Sequence, residues 1–301
     1  MPIYPINFSI HDSKIVTKIP EKTRILAPLI PSYTNTYVYD SEDQYYQMYQ
    51  ESCFAITTKK AGWDCMRHYE ILANACIPLF LDIDECPDSI LTFLPKQLLI
   101  DVKEFYFRHI NGKHKIEELS KNELDIIETY THELWSYTRD KLTNMEMAKY
   151  VLGRSDLNRI PRNILFLSGC IHPDYLRCNI LSGLKDIYKD QCHDFPKIPH
   201  IYTDYSTPEL CYGKGFSYSR LFQEEEFRNN SRDSTIETDI KNHVYDVVIY
   251  GSYHRGTPYW ELVNTYYDPA SIIMLCGEDE HDCDYNVYSE QGYCMFVREL
   301  M

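Results

Sequence analysis

Short, nearly unbroken apolar runs, each followed by a segment of helix length, constrain this chain more than any other feature. Residues 53–57, 77–81, 163–168, 245–252 and 271–277 are of this kind. A strand that is apolar on both faces belongs to a parallel sheet covered by helices, because the crossovers that join parallel strands place helices on the sheet. The order strand (53–57), turn, helix (63–75), strand (77–81) is a βαβ unit, whose crossover is right-handed, and 24–30 supplies another strand ahead of it. A second series starts at 163–168, where Pro173 opens a helix that runs through Ile187. It continues through strands at 245–252 and 271–277 with a helix at 258–266 between them. From Pro95 to about Tyr150 the pattern is helical and charged, with Leu119, Leu124, Ile127, Tyr130 and Leu134 near one face, an amphipathic connector whose charged side is solvated surface. The expected fold class is α/β, with two Rossmann-like halves built on parallel sheets and joined by a helical connector: 1–110, 111–160 and 161–301.

With 301 residues and 44% hydrophobic content, the chain can bury a large core or two smaller ones flanking a cleft. Its longest apolar runs are far shorter than the roughly 20 residues of a bilayer span, so no membrane span is expected. The N-terminus, MPIYPINFSIHDSK, has no basic stretch followed by an apolar one, so a secretory signal is not expected and a cytoplasmic location is. The eleven cysteines are scattered and odd in number, and read as reduced, small core residues. The nearest approach to a metal cluster, Cys276, His281 and Cys283, fits no zinc module. The sequons at Asn7 and Asn229 carry no weight without a secretory route. A net charge of −15 argues against binding nucleic acid, which needs basic stripes. It leaves room for a nucleotide diphosphate if a few basic groups converge in one cleft.

The densest site signal is 57–78. Lys59 and Lys60 leave the end of a strand, Gly62 permits a tight turn, and a helix starts near Trp63 with its free N–H groups and positive dipole end facing the same space. Arg67, Glu70 and Asn74 share a helix face, where Arg67 suits a phosphate and Glu70 suits ribose or sugar hydroxyls. The same residues also read as a surface ion pair beside solvated lysines. The run RHYEILANACIPLFLD, residues 67–82, resembles the nucleotide-sugar-binding segment of exostosin-like and related GT-B glycosyltransferases, in which an Arg, an aromatic, a Glu, an aliphatic pair, small residues, a Cys and Ile-Pro precede a strand. The resemblance implies a GT-B-like fold whose donor-binding half is 1–110 and whose acceptor side is 161–301. It also implies that Lys59, Lys60, Arg67, Glu70 and Asn74 contact the donor. The order of the halves is the reverse of that family's, and Ala75 stands where a Gly is usual.

Asp82-Ile83-Asp84 is similar to the D-x-D with which GT-A glycosyltransferases hold Mg or Mn against a donor diphosphate, though Asp84 also reads as a capping residue. In the second half, His172 and Asp174 sit between a strand and a helix, the place for a general base in an open α/β sheet. Asp174 reads equally as a helix N-terminal charge. Lys214 and Arg220 flank a Gly-containing loop. His254 with Arg255, and Glu278 with Asp279, follow two strands at the edge where such sheets bind ligands. They read as acceptor contacts, or as an Arg255 to Glu278 or Asp279 ion pair ordering two loops. The function these features imply is transfer of a sugar from a nucleotide-diphosphate donor to a glycan hydroxyl. The alternative is a non-catalytic carbohydrate-binding or structural module on the same fold.

Overall fold

The computed structural model describes residues 2–155, 160–223, 230–279 and 283–300. It is an α/β fold with two sheets, both wholly parallel. The smaller sheet has β2 (Arg24–Leu26), β3 (Ser52–Thr57) and β4 (Ile77–Phe80) in sequential order. Helix α1 (Glu42–Gln50) connects the first two strands, and α2 (Met66–Ala73) the last two.

The chain then becomes helical. Helix α3 (Lys96–Phe105) runs into a π turn, Tyr106–Ile110. Helix α4 (Lys121–Lys141) starts at a capping box in which Ser120 and Glu123 satisfy each other's backbone N–H groups, and α5 (Asn144–Arg154) starts at Thr143, whose side chain accepts from the Glu146 amide. Among the described residues, no helix is long and apolar enough to cross a membrane.

The larger sheet contains β5 (Ile164–Leu167), β6 (Cys192–Phe195), β7 (Val247–Tyr250), β8 (Ile272–Cys276) and β9 (Cys294–Val297), with α6 (Tyr175–Tyr188) crossing from β5 to β6. At its edge lies β1 (Ile3–Pro5), so the strand order is β1-β9-β8-β7-β5-β6. The N-terminal strand, counted with the first half by sequence, therefore pairs with the last strand of the chain, Ile3 opposite Met295. Its three residues end on a proline, tolerated at an edge and invisible to a periodicity test.

The unbroken apolar runs have the expected cause. Ile164, Phe166, Val247, Ile249, Ile273 and Leu275 pack into one core, while Leu165, Leu167, Val248, Tyr250, Ile272 and Met274 pack into another on the opposite face. The first of these cores does not stop at the large sheet. It runs through Leu134, Leu142 and Met147 of the helical segment into Phe54, Ile77 and Leu79 of the small sheet. The two sheets are thus joined by continuous apolar packing.

A buried ionic cluster joins them again. Just past β9, the Glu299 carboxylate accepts the backbone N–H groups of Trp63 (3.1 Å) and Asp64 (3.0 Å), in the turn between β3 and α2. Arg298, 1% exposed, donates to Glu299 at 2.8 Å, to the Asp64 and Gly277 carbonyls and to Asp279, and its guanidinium lies 4.5 Å from the Phe8 ring. Asp64 in turn accepts from the Phe8 amide at 2.6 Å and from the Tyr69 hydroxyl at 2.9 Å. Gly62 owes its identity to this cluster, because a Cβ there would fall 2.5 Å from a Glu299 carboxylate oxygen. Removing one member of such a buried pair strands the other's charge. Arg298→Met is expected to lower the unfolding free energy by about 3–5 kcal/mol, and equilibrium urea denaturation of variant and parent checks it.

Candidate functional site

The loops that follow β2, β3, β5, β7 and β8 all leave from C-terminal strand ends, and together they line a cleft of about 650 Å³ between the two sheets. Counted from β5, the large sheet runs β6-β5-β7-β8-β9, so the strand order reverses between β5 and β7. Open α/β sheets receive ligands at such a reversal. The loops beyond these two strands touch here: a Cβ on Gly169 would lie 2.2 Å from the Arg255 carbonyl oxygen, so only glycine allows the contact.

The first half brings Lys60, Arg67 and Glu70 to the cleft. Helix α2 begins without a side-chain cap at Cys65, so the positive end of its dipole is left to whatever occupies the cleft. Arg67 is 7% exposed and donates to the Tyr37 hydroxyl at 2.9 Å, but its Nε and Nη1 are buried without a hydrogen-bond partner. Unsatisfied buried donors on a guanidinium are costly. Lys60 lies over the Tyr37 ring at 5.9 Å and forms no ion pair among the described residues.

Glu70 does not pair with Arg67. Its two oxygens accept from the Tyr45 hydroxyl (2.7 Å) and the Ser217 hydroxyl (2.6 Å), and the Ser217 amide donates to Glu42 at 2.6 Å. Glu70 is thus a strut holding the loop around Ser217 against α1 and α2, and burial raises its carboxyl above the ordinary value. This corrects its reading as an open acceptor for sugar hydroxyls. Asn74 is also redirected: it is fully buried, donates to the Glu70 carbonyl, accepts from Gln50 and does not line the cleft. Lys59 lies over the Trp63 ring at 5.1 Å, outside the cleft.

The D-x-D pair does not converge. The Asp82 carboxylate accepts the Lys59 backbone N–H at 3.1 Å, whereas Asp84 is paired with Lys103. The 3-10 turn Ile83–Glu85 separates their directions.

From the second half come Asp174, Lys214, Arg255, Glu278 and Asp279. Asp174 is the N-cap of α6, accepting from the Arg177 amide at 2.9 Å, from Ser252 at 2.7 Å and from Arg255 Nε at 3.0 Å. Burial works against its charge, but Arg177, these hydrogen bonds and Arg255 outweigh it and hold the carboxyl below its ordinary value. A saturated carboxylate of this kind is a poor general base. His172 is exposed, away from the cleft, and its carbonyl anchors Arg177. Neither base candidate therefore stands in position. Lys214 binds Asp40 (2.7 Å) and the Tyr39 carbonyl (3.0 Å), fastening its loop to the one after β2. Arg220 is exposed, outside the cleft, with its backbone N–H on the His200 carbonyl.

Arg255 also lies 3.5 Å from Glu278, the loop-ordering pair that the sequence left open. His254 is 2.6 Å from the same Glu278 oxygen, and burial lowers its imidazole below the ordinary value.

Cys276 and Cys283 form a disulfide, which corrects the expectation that all cysteines are reduced. The turn after β8 brings their Cα atoms within 6.7 Å. The other nine cysteines form no disulfide. His281 and Asn229 lie outside the described residues.

The aromatic wall was not assigned from sequence. Tyr37, Tyr39, Tyr45, Tyr175, Tyr212 and Phe216 line the cleft, and the only trace of them in the sequence is the abundance of tyrosine, 27 residues.

No protein-family model, curated protein or solved structure matches the chain.

Asp64, 1% exposed at the cleft floor, has its carboxyl pushed up to about 6 by burial, against the pull of Arg298. A carboxyl whose folded value exceeds its unfolded one stabilises the fold when protonated, and that stabilisation is lost as pH rises from the unfolded value of 3.8 through about 6. The loss is roughly 3 kcal/mol at one unit per 1.36 kcal/mol. Asp64→Asn keeps an acceptor for the Phe8 amide and does not titrate. Urea denaturation at a series of pH values is expected to show the variant gaining on the parent by that amount across this window.

Proposed function

We propose that the protein is a glycosyltransferase that takes a sugar from a nucleotide-diphosphate donor and passes it to a hydroxyl acceptor, with the donor in the cleft between the two sheets. The observation that carries this reading is Arg67, whose Nε and Nη1 are buried in the cleft wall without partners. A diphosphate supplies acceptors for both, in the planar, bidentate manner that suits a guanidinium. The uncapped end of α2 and Lys60 add positive potential at the same pole. The other basic groups of the cleft are already neutralised, Lys214 by Asp40 and Arg255 by Asp174 and Glu278. The anion-binding pole is therefore local, at α2. The exposed rings of Tyr37 and Tyr212 offer stacking faces for a base or sugar.

In this reading the bond between the sugar and the diphosphate oxygen breaks, a bond from the acceptor oxygen to the same sugar carbon forms, and the acceptor proton leaves to a carboxylate. Stabilisation of the departing diphosphate by Arg67, Lys60 and the α2 amides is the main catalytic term. Glu278 and Asp279 are the acidic groups on the acceptor side, with side-chain exposures of 39% and 48%. Each keeps its second carboxylate oxygen clear of its His254, Arg255 or Arg298 partner among the described residues, so they take the proton role in place of His172 and Asp174. Any Mg or Mn would enter with the diphosphate, since Asp82 and Asp84 are separately engaged. The two-sheet arrangement is read as GT-B-like, with the donor side first in the chain. The nine cysteines outside the disulfide fit a cytoplasmic location.

The saturation of Asp174 and the outward position of His172 favour a second reading, a module that binds carbohydrate or nucleotide without turnover.

A thermal-shift panel of UDP, GDP, CDP, ADP and their sugars tests the donor site. A ligand at about 100 times its Kd adds about 2.7 kcal/mol of stability. One base is expected to stand out, and Arg67→Ala is expected to weaken it by roughly 10- to 100-fold, the worth of hydrogen bonds to a charged group. Binding without sugar transfer or donor hydrolysis would favour the module. Indifference to every nucleotide, or full binding by Arg67→Ala, overturns the donor assignment.

A further inference from the structure

At the rim of the cleft, three side chains from two loops converge. Cys276 ends β8, Cys283 returns after the turn that carries Glu278 and Asp279, and His254 comes from the loop after β7. One donor atom from each lies within 4.8 Å of the others, and among the described residues this is the one group of three His, Cys, Asp or Glu so gathered. Both cysteines are 2% exposed.

The imidazole is oriented as a metal ligand would be. Its Nε2 lies 2.6 Å from a Glu278 carboxylate oxygen, and both ring nitrogens are buried without a hydrogen bond of regular geometry among the described residues. A histidine that binds a metal through one nitrogen usually has a carboxylate on the other, which fixes the tautomer and strengthens the donor. One imidazole nitrogen lies within 4.8 Å of both sulfurs. Two thiolates and an imidazole are the donor set for zinc, and are too soft for Mg or Ca.

We propose that in the reduced chain Cys276, Cys283 and His254 bind one zinc-class ion, and that the Cys276–Cys283 disulfide is the alternative, metal-free state of the same site. Reduction of the bond by a dithiol delivers two electrons and two protons and yields two thiols, the dithiol becoming a disulfide. The ion then displaces both thiol protons, so binding releases two protons and leaves a neutral centre of M²⁺ and two thiolates. The fourth position falls to water or to a group from the cleft. In a reducing compartment the dithiol form prevails. The ion then does what the disulfide does in the oxidised chain: it closes the turn bearing Glu278 and Asp279, of which Asp279 holds Arg298. Sequence spacing missed this site because its histidine is not between the cysteines but comes from a neighbouring strand end.

The test uses the full chain, reduced with a dithiol, freed of it without oxygen, and titrated with Co²⁺. Thiolate-to-cobalt charge transfer and tetrahedral ligand-field absorption are expected to saturate at one equivalent and to vanish on adding Zn²⁺. The same chain oxidised, with the 276–283 link verified by peptide mass, is expected to give no such absorption. His254→Ala, which leaves both cysteines and the disulfide option intact, is expected to bind at least about tenfold more weakly. Absence of the cobalt signal from the reduced parent, its persistence after oxidation, or unchanged affinity in His254→Ala each overturns the proposal. None of these readouts involves a nucleotide, so the metal site stands or falls apart from the donor site.

Discussion

The contact between Glu299 and the amides of Trp63 and Asp64 is what the cleft depends on. These amides belong to the turn that feeds α2, and the carboxylate that holds them sits at the far end of the chain. Without it the turn would have to satisfy two N–H groups elsewhere, and α2 would lose its fixed angle to the large sheet. Arg298 makes the arrangement affordable: a lone carboxylate buried at 4% exposure would be costly, and the adjacent guanidinium neutralises it while also reaching Asp64, Gly277 and Asp279. One residue pair after the last strand therefore sets both walls of the cleft, the α2 side through amides and the β8 side through the Gly277 carbonyl and Asp279.

Parallel topology then decides what those walls contain. All strands of a parallel sheet release their loops in the same direction at a given edge, so polar residues just after a strand gather at that edge however far apart they are in sequence. Lys60, Asp174, Arg255 and Glu278 are brought together in this way. The acids of this gathering are paired off, Asp174 and Glu278 with Arg255 and Asp279 with Arg298. What is left uncommitted is cationic, at Arg67. An uncommitted guanidinium in an otherwise acidic chain suits a small anion better than a polyanion.

The strand and helix plan was legible because burial on both faces writes itself into sequence as unbroken apolar runs. Strands 77–80, 164–167, 247–250 and 272–276 fall inside the expected segments, and 52–57 overruns its segment, 53–57, by one residue. What was not read was the edge, where β1 is three residues long, the strand β9 beside it, and β6, whose sequence CHDF buries a histidine and an aspartate beside Lys185 and Asp233. Polar residues satisfied inside a core look like loop. The site was legible by position along strands and not by role. Arg67 and Lys60 reach the cleft, but Glu70, Asn74 and Asp82 point at partners close by. A carboxylate near a hydroxyl or an amide is captured by it regardless of helix face, and such partners, Ser217 for Glu70 among them, lie up to 147 residues away.

The same logic explains why the rim cluster and the anion pole differ in kind. Two nitrogens of Arg67 find no acceptor among the described residues, which is the gap the proposed diphosphate would fill. At the rim the imidazole of His254 also lacks hydrogen-bond partners, but the two sulfurs beside it can satisfy each other by bonding. On the proposed readings the first place is completed by an anion, while the second has two complete forms, selected by the redox state of its surroundings. Because Asp279 follows Cys276 by three residues and holds Arg298, both forms keep the β8 side of the latch tethered. The anion pole at α2 therefore keeps its geometry through Glu299 whichever form the rim adopts.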